Sequence, residues 1–226
     1  MRSWGARPDT IVCDEPLYAH YLKRTSLDHP GAAEIIATGP IDLDRVIDSL
    51  TNPPAGRSTI FYQKHMAHHL FADTDTAWIS EMRNGFLIRE PAAMLASLIK
   101  VLPNADLDAT GLPRQVELFR AESERLGTPP PVVDSRDVLE DPEGTLRALC
   151  VGFGVPFLRD MLSWERGPRT TDGVWAPHWY ASVEASTGFG PYQPKQIDLP
   201  ARFTPLLREC ERHYRVLAEH ALTAEI

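Results

Sequence analysis

The segment that most constrains the fold is the run Phe86, Leu87, Ile88, Arg89, Glu90, Pro91, with Ser97 following at the same helical stretch. Three continuous apolar residues are what a parallel strand needs when both of its faces are covered. Pro91 is placed to open a helix, because the N–H that proline lacks would have no partner in a first turn. The residues after it (AAMLASLIK) predict a helix over 91–100. A strand that feeds directly into a helix is the unit of an open α/β sheet. Arg89 then stands at the strand's carboxyl end, where such sheets bind ligands, beside a helix N-terminus that together with a guanidinium is expected to attract an anion.

The rest of the chain alternates in the same way, so the predicted fold class is a doubly wound α/β sheet with helices on both faces, in a single domain over 1–226. Strands are expected over 10–13, 59–63, 86–88 and 132–134. Helices are expected over 16–24, 43–50, 66–71, 114–126, 142–153 and 201–222, and a helix or turn over 78–82. The stretch 164–200 is long and irregular but rich in aromatic residues, among them Trp175, Trp179, Tyr180, Phe189 and Tyr192. Disordered tracts are poor in such residues, so a lid or closing loop is the expected role.

Composition narrows the function. A chain of 226 residues with 43% apolar content can bury one good core. A formal charge of −8 argues against a nucleic-acid surface, while a nucleotide ligand needs only a few local cations. Cys13, Cys150 and Cys210 form no paired motif, which suits a reducing, cytoplasmic setting. No run approaches the roughly 18 apolar residues of a membrane helix, and no membrane partner is expected.

Arg89, Glu90 and Pro91 with Ser97 resemble the 3′-phosphate motif of the sulfotransferases, an Arg-x-Pro followed by a serine eight residues after the arginine. Other segments are similar to the same superfamily. Ile60, Phe61, Tyr62, Gln63, Lys64 and His65 look like the strand that presents a catalytic histidine, and VVDSRDVLEDP from Val132 looks like the late strand, loop and helix before FGVPF. The runs DEPLYAHYL and KHMAHHL resemble those of bacterial sulfotransferase-like proteins. The resemblance implies a P-loop sulfotransferase fold and PAPS as the sulfuryl donor, with adenosine 3′,5′-bisphosphate as product. It implies a hydroxyl or amine of a small molecule as acceptor, and no metal. Arg89 and Ser97 would hold the 3′-phosphate, and Arg169, Gly173 and Trp175 would close over it and the adenosine. His65, or Glu15 as in the glycan-type enzymes, would be the base. Lys64 would be a cation near the leaving phosphate.

Residue chemistry keeps alternatives open beside that reading. His65 can be a capping or core histidine, Glu15 an acid favourable at the start of a helix, and Lys64 a solvated lysine. His65, His68 and His69 have an i, i+3, i+4 spacing that would put them on one helical face, but no glutamate stands between them as in a zinc-binding His-Glu-x-x-His. Family members begin with a strand and a 5′-phosphosulfate loop. Here Met1 to Gly5 resemble the end of the helix that follows that loop, with Gly5 as a C′ glycine. The central strand and its phosphate loop are therefore expected to be lacking, which leaves an inactive nucleotide-binding or scaffold remnant, or another P-loop phosphotransferase, as alternatives to an enzyme.

Overall fold

Two pairs of parallel strands organise the computed structural model, which describes residues 1–52, 59–194 and 196–223. In chain order the elements are α1 (Arg2–Gly5), β1 (Thr10–Asp14), α2 (Tyr18–Thr25), α3 (Ala32–Thr38), α4 (Leu43–Thr51), β2 (Ile60–Lys64), β3 (Phe86–Ile88), α5 (Pro91–Leu98), α6 (Leu112–Leu126), β4 (Val132–Asp134), α7 (Ser135–Glu140), α8 (Pro142–Gly152), α9 (Ala176–Trp179), α10 (Ala181–Glu184) and α11 (Thr204–Ala218). The α/β class with parallel strands read from the sequence is the class observed. β1 pairs with β2 and β3 with β4, each pair a parallel two-stranded sheet.

The residues group into two compact units. The first comprises 1–70, 74–81 and 158–189, and the second 71–73, 82–157 and 190–226. The first holds β1, β2, α1 to α4, α9 and α10. Its core is built from Leu17, Leu22, Ile35, Val46, Leu50 and Met161, all buried. Trp4 stacks on Tyr62 of β2 with ring centroids 4.7 Å apart. Asp42 caps α4 by accepting from the Arg45 N–H at 3.0 Å, the local chemistry expected of an aspartate ahead of an amphipathic helix.

The second unit packs α6 and α11 against β3 and β4 through Ile88, Val116, Phe119, Val132 and Leu217. A neighbouring cluster of Leu95, Leu112 and Cys210 seats α5 on α11. Glu122 is buried on α6 and is neutralised there: it accepts from Asn84 and pairs with Arg125 at 2.7 Å. Hydrogen bonding by Arg125 holds its carboxyl below the usual range.

Several expectations are corrected. Leu87 is 63% exposed, so β3 is covered on the Phe86 and Ile88 side and not on both faces. Gly5 is the last residue of α1 and Ala6, in a right-handed conformation, caps it, so no left-handed glycine ends this helix. The stretch read as a helix over 66–71 is a 3₁₀ turn, Ala67–His69, while 78–82, read as a helix or turn, falls on a 3₁₀ turn, Ala77–Glu81. The last helix is preceded by a 3₁₀ turn, Ala201–Phe203, and ends at Ala218. α3 was not foreseen, because Ile35 is its one buried residue and so leaves no periodic apolar stripe. The irregular stretch 164–200 contains α9 and α10 and divides between the two units.

Leu217 is fully buried among aromatic and β-branched neighbours, whereas Leu87 stands on an open strand face. Leu217→Ala is expected to cost about 2–5 kcal/mol, while Leu87→Ala stays within about 0.5 kcal/mol, as measured by denaturant midpoints at constant m.

Candidate functional site

The parallel register sets Asp14, the last residue of β1, opposite Lys64, the last residue of β2. The Lys64 Nζ donates to Asp14 Oδ1 at 3.1 Å and to Glu15 Oε1 at 2.5 Å. Its third proton goes to the Tyr180 hydroxyl at 3.1 Å, and that hydroxyl donates in turn to Asp14 Oδ2. The ammonium also lies 5.6 Å from the centre of the Tyr180 ring. Asp14 is sealed, with 1% of its side chain exposed, while Glu15 keeps 12% and Lys64 31%. Burial alone would lower the Lys64 pKa, but the two carboxylates outweigh it and the ammonium is held above its ordinary value. Burial pushes the Glu15 carboxyl up, against the pull of Lys64.

Glu15 also carries backbone strain. Its φ of 44° lies in the left-handed region, which costs a non-glycine residue about 1 kcal/mol or more. Pro16 disfavours the right-handed helical alternative at this position. The conformation is pinned by the Glu15 N–H donating to the Lys64 carbonyl at 2.8 Å and by the Glu15 carbonyl accepting from Tyr18 at 3.0 Å. This turn swings the Glu15 side chain onto Lys64 instead of continuing the strand's alternation.

His65 follows directly. Its Nε2 lies 3.1 Å from Gln63 Oε1, and Gln63 Nε2 donates to the Leu50 carbonyl at 2.9 Å, so Gln63 offers oxygen and the imidazole carries its proton on Nε2. Nδ1 is buried with no hydrogen-bond partner among the described residues. Burial, helped by Lys64, pushes His65 down to about 4, so it is neutral near pH 7. His68 and His69 are not on a common helical face with it, since the 3₁₀ turn Ala67–His69 replaces the expected helix. His69 instead stacks on Tyr18 at 4.8 Å, and His68 meets Tyr21 edge-on at 5.2 Å. Among the described residues no three His, Cys, Asp or Glu side chains converge as metal ligands.

Arg89, in the second unit, is exposed and makes no hydrogen bond or ion pair among the described residues. Glu90 is not its partner. The Glu90 carboxylate turns onto α5 and accepts from the Ala92 and Ala93 N–H groups at 3.0 and 2.7 Å. The expected anion site at this helix N-terminus is therefore filled by a carboxylate of the chain itself, and the guanidinium is what remains free. Ser97 is exposed in the last turn of the same helix.

Arg169, Gly173 and Trp175, expected in a closing loop, belong to the first unit. Arg169 is engaged locally, its guanidinium donating to the Glu165 carbonyl at 2.7 Å and lying 3.5 Å from the Glu165 carboxylate. Asp172 accepts from the Arg169 N–H at 2.7 Å and forms a buried, two-pronged pair with Arg2 at 2.6 and 2.8 Å, which fastens the segment. Gly173 has no side chain because the Trp175 indole lies across its α-carbon. Trp175 packs edge-on against Tyr18 at 5.4 Å.

Sequence reasoning named Glu15, Lys64 and His65 and the structure brings the first two into one cluster, but Asp14 and Tyr180 were missed. Asp14 was readable as the residue opposite Lys64 once the strands were paired. Tyr180 had no signal, being 116 residues from Lys64 inside an irregular stretch.

An α/β chain with parallel strands and charged residues gathered at a strand end is a familiar enzyme architecture, and comparison places it in a family. The family model for the sulfotransferase domain matches residues 1–215, and the chain belongs to that family. It is 34% identical over 220 residues to branched-chain-amino-acid aminotransferase-like protein 2 of Arabidopsis thaliana and 36% identical over 220 residues to protein 1 of the same name. Each match covers 97% of this chain and 39% of the relative, so the chain spans well under half the length of these curated relatives. A solved sulfotransferase domain from the curacin biosynthetic pathway aligns with 92% of this chain and 79% of its own, at 14% identity and a TM-score of 0.42. No described helix is long and apolar enough to cross a membrane.

Removing the lysine strands two carboxylates. Lys64→Met is expected to destabilise the first unit by about 3–5 kcal/mol at pH 7, measured by thermal or urea unfolding. A second expectation concerns pH. His65 and His68 fall from 6.5 to about 4 on burial, and His69 and His29 are lowered for the same reason. Between those values the unfolded chain binds more protons, so stability is full above about pH 6.5 and is lost as pH falls toward 4, by up to about 1.4 kcal/mol per pH unit for each histidine. His68→Gln should flatten that slope in melting curves taken from pH 7.5 downward.

Proposed function

We propose that this sulfotransferase-domain protein transfers the sulfuryl group of PAPS to a hydroxyl or amine of a small acceptor. Arg89 carries the proposal: its guanidinium stands exposed and unengaged at a strand's carboxyl end while the neighbouring carboxylate is tied to the helix. In this reading Arg89 makes the charged contacts to the 3′-phosphate and Ser97 adds a hydroxyl donor.

Glu15 is the proposed base. Its raised pKa, its strained backbone and its unbonded Oε2 favour it over His65, whose Nε2 is committed to Gln63 and whose basicity is low. Glu15 takes the proton from the acceptor, the acceptor oxygen or nitrogen bonds to sulfur, and the bond from sulfur to the bridging phosphate oxygen breaks. Adenosine 3′,5′-bisphosphate leaves. Lys64 keeps the Glu15 carboxylate in place and offsets the charge of Asp14.

Calorimetric titration tests the donor assignment. Arg89→Ala should weaken adenosine 3′,5′-bisphosphate binding by about 2–3 kcal/mol, near a hundredfold, and leave AMP binding unchanged, because AMP lacks the 3′-phosphate. Equal losses for both nucleotides would remove Arg89 from this role. For the base, Glu15→Gln should lower turnover of PAPS by about a hundredfold or more with little change in donor affinity, whereas His65→Gln should be mild. The reverse pattern would make His65 the base.

A further inference from the structure

Tyr180 is the residue in this site that no motif accounts for. It comes from the turn between α9 and α10, yet its hydroxyl sits between the two charged partners of the strand ends, accepting from Lys64 at 3.1 Å and donating to Asp14. Counting valences shows what it does. The ammonium has three protons, placed on Asp14 Oδ1, Glu15 Oε1 and Tyr180. Asp14 has its two oxygens satisfied by Lys64 and Tyr180, and it is sealed from water. Glu15 Oε2 makes no hydrogen bond among the described residues, and this carboxylate is the more exposed of the two.

We propose that Tyr180 is a positioning residue that satisfies Asp14 and so keeps Lys64 drawn to Glu15, leaving Glu15 Oε2 as the one free basic oxygen of the cluster. The proposal rests on the reading of Glu15 as the base. Without the hydroxyl, Asp14 Oδ2 loses its donor and Lys64 loses an acceptor. These two orphaned groups are neighbours, so they pair, and the ammonium shifts toward Asp14 and away from Glu15. Glu15 then faces a carboxylate with less cationic support. The groups around it are Asp14 from β1, Lys64 from β2 and Tyr18 from α2, while Tyr180, Tyr62 of β2 and the Met1 amino group just before α1 face Lys64 and Asp14.

The test follows the Glu15 carboxyl directly in the whole chain, by carbon-13 NMR titration. Tyr180→Phe should move its midpoint upward by roughly one unit, the scale set by weakening one charged neighbour. Asp14→Asn should move it downward, and adding Tyr180→Phe to Asp14→Asn should change it no further, because the tyrosine acts through Asp14. The acid limb of the PAPS pH–rate profile should move with the midpoint in Tyr180→Phe while the donor KM stays constant. A Glu15 midpoint that ignores Tyr180→Phe, or that moves equally in the Asp14→Asn background, overturns the positioning role. A titration that shifts as expected in a protein with no PAPS turnover would instead reject Glu15 as a transferase base and leave the positioning role standing. Should Tyr180→Phe fail to fold, 3-fluorotyrosine at position 180, a more acidic phenol of nearly the same size, must lower the midpoint, and no change there also overturns the proposal.

Discussion

A single ammonium, Lys64, holds together most of what is chemically unusual in the first unit. Parallel pairing of β1 with β2 brings Asp14 to it in register, and a left-handed turn brings Glu15. The chain returns more than a hundred residues later to supply Tyr180. Ion pairs at protein surfaces contribute little, but one in which a carboxylate is almost fully sealed cannot be broken at one partner without leaving a charge stranded. The cluster has one cation and two carboxylates, so its charge is not balanced internally. Burial, with a smaller push from Asp14, is why Glu15 is shifted toward easier protonation although it touches a lysine.

The second unit solves a related problem in the opposite sense. Arg89 and Glu90 are adjacent and of opposite charge, and a simple ion pair between them was open to the chain. Glu90 is engaged by two backbone N–H groups at the positive end of α5, an arrangement that satisfies the helix terminus and takes the carboxylate out of competition. Pro91, which has no N–H to offer, is what aims the cap at Ala92 and Ala93. The local sequence Arg-Glu-Pro thus builds a capped helix and releases a guanidinium, and neither outcome follows from charge alone in a chain whose formal net charge is −8.

What could be read in advance was what is local. Every predicted strand is present within about a residue, since short apolar runs bounded by breakers depend on neighbours in sequence. The helices at Pro91 and Pro142 begin where proline and a capping carboxylate, Glu90 or Asp141, put them, whereas α6 begins at Leu112, two residues ahead of the expected start at 114 and without a side-chain cap. The 66–71 segment failed because its residues are held by rings from elsewhere, Tyr18 on His69 and Tyr21 on His68, and tertiary stacking replaced a helical turn with a 3₁₀ turn. Leu87 failed because an apolar residue in a short strand does not state which face is covered. For the site, residue types at strand ends pointed to Glu15, Lys64 and Arg89. Valence did not: that Lys64 faces two carboxylates, that Glu90 is a cap and that a tyrosine from the irregular stretch completes the cluster are facts of three-dimensional placement.

The two units also differ in how completely their polar groups are satisfied. Each buried side-chain nitrogen or oxygen lacking a hydrogen-bond partner among the described residues, including Nδ1 of His65, His68 and His69 and Nε1 of Trp175, belongs to the first unit. So does the strained Glu15. Groups of this kind cost about 1–3 kcal/mol each, and an ordinary core avoids them, as the second unit does around Leu217 and Val132. The His69 imidazole, held neutral by burial, stacks on Tyr18 and lies tilted against Tyr21, while His68 meets Tyr21 edge-on, and together they form a poorly hydrated wall next to a charged cluster. A carboxylate beside such a wall is less well solvated and is therefore a stronger proton acceptor than one in water.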